Sequence, residues 1–392
     1  MRPFKSFSRK SAVRRNHERL LLIIGVVSLL ADFVYESFRS VLYIIVKSGG
    51  LLNTCLIDGI GELTLSIARV LSPLAVKVFR LSTLYLLGYA CAGFLVPAVV
   101  IPSLSYILYP LERFGKGLRT PSRDYLISSI PEKPGRKFSI CELLDQSGAV
   151  LGPLIMLIMF STTRSTDIIA ISLALAYILC MITATYIYET YKKIEITAQR
   201  KHSHTVSQIP RTTILAIFIM ALPLIFRTPL IMAQYLSSFK FYYREAEGIA
   251  IFLISTIFSI VFAYPIGRLI DKVKSRAMII IPAACMLTFI SLIKFQNYII
   301  YSIVVGTVYG FTLAVCEIVP KAIVNYIISD SDARKFAYAL LNAFIGVTYF
   351  IGNIIVPILY SYLKNLVLLV TISSLIDLTL AIALFMLSSR LL

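Results

Sequence analysis

Residues 168–187 read IIAISLALAYILCMITATYI, residues 188–211 read YETYKKIEITAQRKHSHTVSQIPR, and residues 212–226 return to TTILAIFIMALPLIF. The first block holds no Asp, Glu, Lys or Arg. Its length matches the about 20 helical residues that cross a hydrocarbon core of about 30 Å. Similar runs occupy Leu20–Leu30, Ala277–Ile293 and Leu366–Leu387. Across 392 residues the hydrophobic share is 58% and the mean hydropathy +0.83. A soluble fold cannot hide so much apolar surface, so lipid is the expected solvent for most of the chain. The predicted fold class is an all-α membrane protein with 12 transmembrane helices in two six-helix pseudo-symmetric bundles.

The hydrophilic block between the two apolar runs is the longest interior break, and it divides the predicted spans six and six. The expected organisation is a basic cytoplasmic N-terminus over residues 1–19, a first bundle over 20–188, a cytoplasmic linker over 189–211 and a second bundle over 212–392. The net charge of +18 fits this map without invoking nucleic acid. With the N-terminus inside, 24 Lys and Arg fall in cytoplasmic segments, 6 in outer segments and 8 within spans. The positive-inside rule then places both termini in the cytoplasm of a multi-pass plasma-membrane protein. No cleavable signal is expected, because the first apolar run is too long and lacks a small-residue cleavage site.

The halves also match residue by residue at an offset of 198. Arg136-Lys137-Phe138-Ser139 precedes a span containing Gly148, and Arg334-Lys335-Phe336-Ala337 precedes one containing Gly346. Arg119 and Arg123 align with Glu317 and Lys321. One offset shared by two consecutive helices indicates duplication.

Several motifs carry a resemblance to a known family. Gly267-Arg-Leu-Ile-Asp271-Lys-Val-Lys-Ser-Arg276 resembles the GxLxDRxGRR loop of the major facilitator superfamily, in which a Gly turn, an acid at a helix end and basic residues can act at the cytoplasmic gate. The first-half counterpart, Leu71–Arg80, has lost the Gly and the Asp. Arg113-Phe-Gly-Lys116-Gly is similar to the RxxQG motif of proton-coupled members, with Lys in place of Gln. Gly148-Ala-Val-Leu-Gly152-Pro153 resembles the GxxxGP element of antiporters, and it also fits close helix packing beside a Pro kink. The resemblance covers the whole chain. It implies a secondary transporter working by alternating access, with proton-coupled export of amphiphilic organic compounds as the leading expectation. The alternative is uptake of an organic anion, and a non-transporting scaffold or intramembrane enzyme is a more distant one.

Ionisable side chains inside the spans point to the site, because each costs about 2.5–3.5 kcal/mol at a helix centre and needs a partner or a polar cavity. Asp32 and Glu36 lie at i,i+4 with Arg39 three residues on, so all three project from one side of a helix. The expected proton-coupling set is Asp32 and Glu36 as titrating acids, since two ionised carboxylates one turn apart repel, and Arg113 as the charge partner, within ion-pair distance of at least one of Asp32, Glu36, Asp58 and Glu62. Arg39, Asp58, Glu62, Lys116, Arg227, Glu317 and Lys321 are expected to line the substrate cavity. Gating is expected at Arg119, Arg123, Asp124, Glu142, Asp145, Gly148, Gly152, Pro153, Gly267, Asp271 and Arg276. Pro223 and Pro229 are expected to bend the chain around Arg227.

No cofactor and no metal are expected. The six cysteines fall singly in apolar runs, and His202 and His204 sit in the basic linker. HExxH, GxSxG and Cys/His groupings are missing from the sequence, and Gly115-Lys116-Gly117 lacks the frame of a phosphate loop. The expected partners are a small-molecule substrate, protons and the bilayer, with the protein a monomer.

Overall fold

The computed structural model describes residues 4–130, 134–163, 165–198, 211–227, 229–293, 295–328, 330–363 and 365–388. These form α1 (Phe4–Ile45), α2 (Gly50–Val78), α3 (Leu81–Ala90), α4 (Leu95–Val100), α5 (Ser105–Ser129), α6 (Pro134–Thr162) and α7 (Thr166–Ala198). After residues 199–210, which hold most of the expected linker and lie outside the described residues, follow α8 (Arg211–Ala221), α9 (Leu230–Leu236), α10 (Glu245–Val273), α11 (Ile280–Ser291), α12 (Tyr298–Ile327), α13 (Ser331–Leu363) and α14 (Leu366–Ser388). No strand forms among the described residues. In lipid every backbone donor must be satisfied within its own segment, which leaves helices as the solution for such apolar runs.

Ten segments are long and apolar enough to cross a membrane, and one of them, Glu245–Ser291, runs for 47 residues and contains both α10 and α11. The expected twelfth helix is α5, which fails on composition because Glu112, Arg113, Lys116, Arg119, Arg123 and Asp124 all lie within it. Its neighbours cover this charge. A Cβ on Gly115 would lie 2.4 Å from Cys91, just beyond α3, and one on Gly117 2.5 Å from the Ala68 Cβ and 2.7 Å from the Leu65 carbonyl of α2.

The repeat at offset 198 has a structural consequence. The Lys137 Nζ donates to the carbonyls of Ser128 and Ile130 at 2.6 and 3.0 Å, closing the end of α5. The Arg334 Nε donates to the carbonyl of Ile328 at 3.0 Å, closing the end of α12. Ile130 and Ile328 are themselves 198 apart, so both halves use a basic side chain to satisfy the same orphan carbonyl.

The GxLxDRxGRR-like stretch departs from expectation. Gly267 lies inside α10 with no atom near its missing side chain, and the chain turns instead at Lys274, whose φ of 52° is left-handed. The turn falls there because α10 stays helical through Gly267 and ends at Val273. Asp271 accepts a hydrogen bond from the Tyr326 hydroxyl at 2.9 Å, within the same half, and Arg276 is exposed.

Packing differs between the two ends of the molecule. One core gathers Leu21, Ile24, Tyr85, Ile127 and Tyr191, all from the first half. Another gathers Ile217, Ile270, Ala277, Val319 and Leu384, all from the second. At the opposite end, where α1 finishes, a single core joins the two: Phe38, Leu42, Val46, Ile57 and Leu95 pack with Ile231, Leu236, Ile249 and Val356. Polar contacts reinforce that end. Lys47 pairs with Glu245 at 2.9 Å, the Tyr43 hydroxyl donates to the Glu245 carbonyl, and the Gln234 Nε2 donates to the carbonyls of Ser40 and Gly248, each at 3.1 Å.

Gly148 and Gly152 let α6 lie directly on α1. A Cβ on Gly148 would sit 2.2 Å from the Leu29 carbonyl oxygen, and one on Gly152 2.8 Å from that of Phe33. Backbone cannot yield as a flexible side chain can. Gly148→Leu is therefore expected to cut the yield of monodisperse protein severalfold, as read by size-exclusion chromatography of detergent extracts. Wild-type yield from this variant would show that the contact is dispensable.

Candidate functional site

The charged side chains of α1, α2 and α5 converge on one place. Asp32, Tyr35, Glu36 and Arg39 share a face of α1 by their i, i+3, i+4 and i+7 spacing. From α2, Asp58 and Glu62 face them one turn apart, and from α5 come Arg113, Lys116 and Arg119. Glu62 receives Arg39 at 3.2 Å and Arg113 at closer range still. Asp58 lies 3.8 Å from the Arg39 Nε and accepts a hydrogen bond from the Tyr109 hydroxyl at 3.1 Å. Lys116 stands between the expected titrating acids, 3.3 Å from Asp32 and 4.0 Å from Glu36. Arg119 adds a contact to Asp32 at 3.7 Å.

Arg113 thus pairs with Glu62 of α2, one of the four acids expected for it, and not with the α1 pair. Only 3% of its side chain is exposed. Lys116, expected from the sequence to line the substrate cavity, contacts both α1 acids.

An aromatic ring sits at the centre of the cations. Tyr35 is buried, with the Lys116 Nζ 4.0 Å, the Arg113 Cζ 4.5 Å and the Arg39 Cζ 6.0 Å from its ring centroid. The negative face of the ring offsets part of the repulsion among like charges held away from water. Nothing in the sequence separates Tyr35 from the other tyrosines. Glu112 was also missed, although an acid beside Arg113 in an otherwise apolar stretch is a visible signal. It is fully buried, makes no hydrogen bond, and has the Arg119 Nη1 3.6 Å away.

Of the expected gating residues, Arg123, Asp124 and Asp145 form a second, adjoining group. Arg123 donates to Asp145 at 3.0 Å and to the Ser28 hydroxyl at 3.2 Å, and its Nε lies 3.4 Å from Asp124. This ties α5 to α6 and α1. Glu142 stands apart, exposed and hydrogen-bonded to Gln146.

In the second half, Glu317 and Lys321 pair with each other at 3.2 Å with side chains 72% and 50% exposed. Arg227 lies where the expected span breaks. α8 ends at Ala221, a 3-10 turn covers Leu222–Ile225, and α9 starts after Pro229. Its guanidinium rests 4.1 Å from the Tyr349 ring centroid. Asp377, a lone acid inside α14, is buried with neither carboxylate oxygen bonded. Its signal in the sequence is that it interrupts an otherwise uncharged run, and it was not among the expected site residues. Among the described residues, no group of three or more His, Cys, Asp or Glu could hold a metal ion.

Comparison with known proteins places this architecture. A family model described as Major Facilitator Superfamily matches residues 238–391. An uncharacterized MFS-type transporter of Methanocaldococcus jannaschii is 25% identical over 373 residues, covering 88% of this chain and 89% of the relative. An uncharacterized protein of Mycobacterium tuberculosis is 35% identical over 153 residues, a match that spans 37% of each chain. Among solved structures, the nucleoside transporter NupG superposes with a TM-score of 0.71 at 15% identity, over 94% of this chain and 98% of that one. A peptide transporter POT in complex with sulfate gives 0.70 at 14% identity, over 95% of both chains. At such identities the likeness is one of fold.

Proposed function

We propose that this chain, a membrane protein of the major facilitator type, is a secondary transporter that works by alternating access and couples proton movement to export of amphiphilic organic compounds. The observation that carries the proposal is Lys116 standing between Asp32 and Glu36 beside the Arg39–Glu62–Arg113 group. A cation shared unequally by two acids is a charge arrangement that a proton or a substrate can redistribute. Asp32 and Glu36 are the proton-coupling acids. Arg113 holds Glu62 and so keeps the opposing wall charged.

Alternating access is supported by the unequal ends. The halves share one core and an ion pair where α1 ends, and keep separate cores where it begins. With both termini cytoplasmic, as the distribution of basic residues requires, the closed end is the outer one and the cavity opens inward. Rocking of one bundle against the other would exchange the two ends.

Transport by the purified protein in liposomes, under an imposed pH gradient and across a panel of amphiphiles, tests the proposal. A scaffold or an intramembrane enzyme would move none of them. The closure makes a separate prediction. A Lys47→Cys, Glu245→Cys pair is expected to be bridged by a short bis-methanethiosulfonate reagent, which spans two positions whose long side chains meet at their tips, and to arrest transport, with reduction restoring it. Cross-linking without loss of transport would show that this end need not open.

A further inference from the structure

Arg227 has no carboxylate partner. It is only 5% exposed, its side-chain neighbours are the Tyr349 ring and the Cys316 thiol, its Nη1 makes no hydrogen bond, and among the described residues no carboxylate lies within ion-pair distance of it. An isolated guanidinium so far from water is costly and calls for a compensating anion. Asp377 does not supply one here, since its own oxygens are unbonded.

Position indicates where that anion comes from. Arg227 lies in the irregular stretch between α8 and α9, and unwound backbone inside a membrane bundle is tolerated where it lines a cavity. The guanidinium rests on Tyr349, which projects from α13 between the two places where that helix meets α2. A Cβ on Gly346 would sit 2.2 Å from Ser66, and one on Gly59 2.8 Å from Asn353. At the first of these places the same Cβ would lie 3.5 Å from the backbone carbonyl oxygen of Glu62, so the α2 acid that holds Arg39 and Arg113 stands at this junction. Arg227, through Tyr349, and the charged group of the first half, through Glu62, therefore flank one junction of α2 with α13 from opposite bundles.

We infer that Arg227 is the anchor for a negatively charged group on the transported molecule, which makes the substrate class an amphiphilic organic anion: a carboxylate, sulfonate or phosphate ester on an apolar body. This rests on the transport function proposed above. The planar guanidinium suits oxyanions, which it can meet with two parallel hydrogen bonds. Tyr349 holds the plane in place and offers a ring surface to the apolar body.

The test uses naphthalene derivatives of one shape and different charge: 1-naphthoate, 1-naphthalenesulfonate and 1-naphthyl phosphate, against uncharged 1-naphthamide and cationic 1-naphthylmethylammonium. Thermal unfolding of the full chain in detergent is followed with each. At least one anion is expected to raise the midpoint, with the amide and the ammonium giving smaller shifts. Arg227→Gln should remove the anion effect, and Arg227→Lys, which keeps the charge but not the fork, should retain a reduced one and controls for folding. No shift with any anion, an equal shift with the amide or ammonium, or an anion shift that survives Arg227→Gln overturns the assignment. Uptake of the same panel into proteoliposomes separates the two proposals. Carriage of the ammonium but of no anion overturns the anion site and leaves transport standing. An Arg227-dependent shift without carriage of any member leaves the anion site standing and counts against transport.

Discussion

Glu36→Gln is expected to reduce proton-driven accumulation of substrate to passive equilibration while leaving the protein folded. Asp32 is held by Lys116 at 3.3 Å and by Arg119 at 3.7 Å, and Glu62 by Arg39 and Arg113, whereas Glu36 has Lys116 alone at 4.0 Å. Glu36 is therefore the acid that loses its partner most easily when Lys116 moves. An ionised carboxylate without a cation favours taking up a proton, and a carboxamide cannot do so. Each unit of pH difference stores about 1.4 kcal/mol per proton, or about a tenfold concentration ratio. That ratio is what the variant should lose. The direction with pH follows: the protonated fraction rises as pH falls, so wild-type transport should depend on pH through this group and the Gln variant should be flatter. Asp32→Asn should lose coupling as well, with some loss of stability because Lys116 and Arg119 both rest on it. Wild-type accumulation ratios in both variants would make these acids structural and pass the coupling role to Asp145.

Arg113→Ala should have the largest effect on stability. The side chain is almost wholly buried, pairs with Glu62 and covers the Tyr35 ring. Its removal leaves Glu62 with Arg39 only, inside the bundle. Breaking a buried pair from one side costs about 3–5 kcal/mol, a large share of the about 5–15 kcal/mol that holds a typical domain together. A fall in thermal midpoint of several degrees and poor recovery from membranes are expected. Arg113→Lys keeps the charge without the fork and should fall between the two. Adding Glu62→Gln to Arg113→Ala should recover part of the loss, since the orphaned carboxylate goes with it. A single-variant loss below about 1 kcal/mol, the range of exposed pairs, would mean that water reaches Glu62.

The helical membrane class followed from the sequence because it depends on local quantities: run length, absence of charge, and the obligation of every peptide group to bond within its own segment. The offset of 198 was readable for a similar reason. A repeated Arg-Lys-Phe marks a repeated helix end, and the carbonyls it closes, Ile130 and Ile328, keep the same spacing. Ionisable residues in apolar runs also announced themselves, so most of the charged cluster could be named. Partnership could not. Whether Arg113 meets Glu62 or Asp32 depends on how far α5 slides along α2 and α3, and that is set by close approaches at Gly117 and Gly115 which have no one-dimensional signature. Tyr35 shows the same limit, since only packing brings three cations to one ring. The position of the turn at Lys274, the shared core at one end of the bundles and the unbonded Nη1 of Arg227 were likewise decided by tertiary structure, because each is a relation between surfaces far apart in the chain.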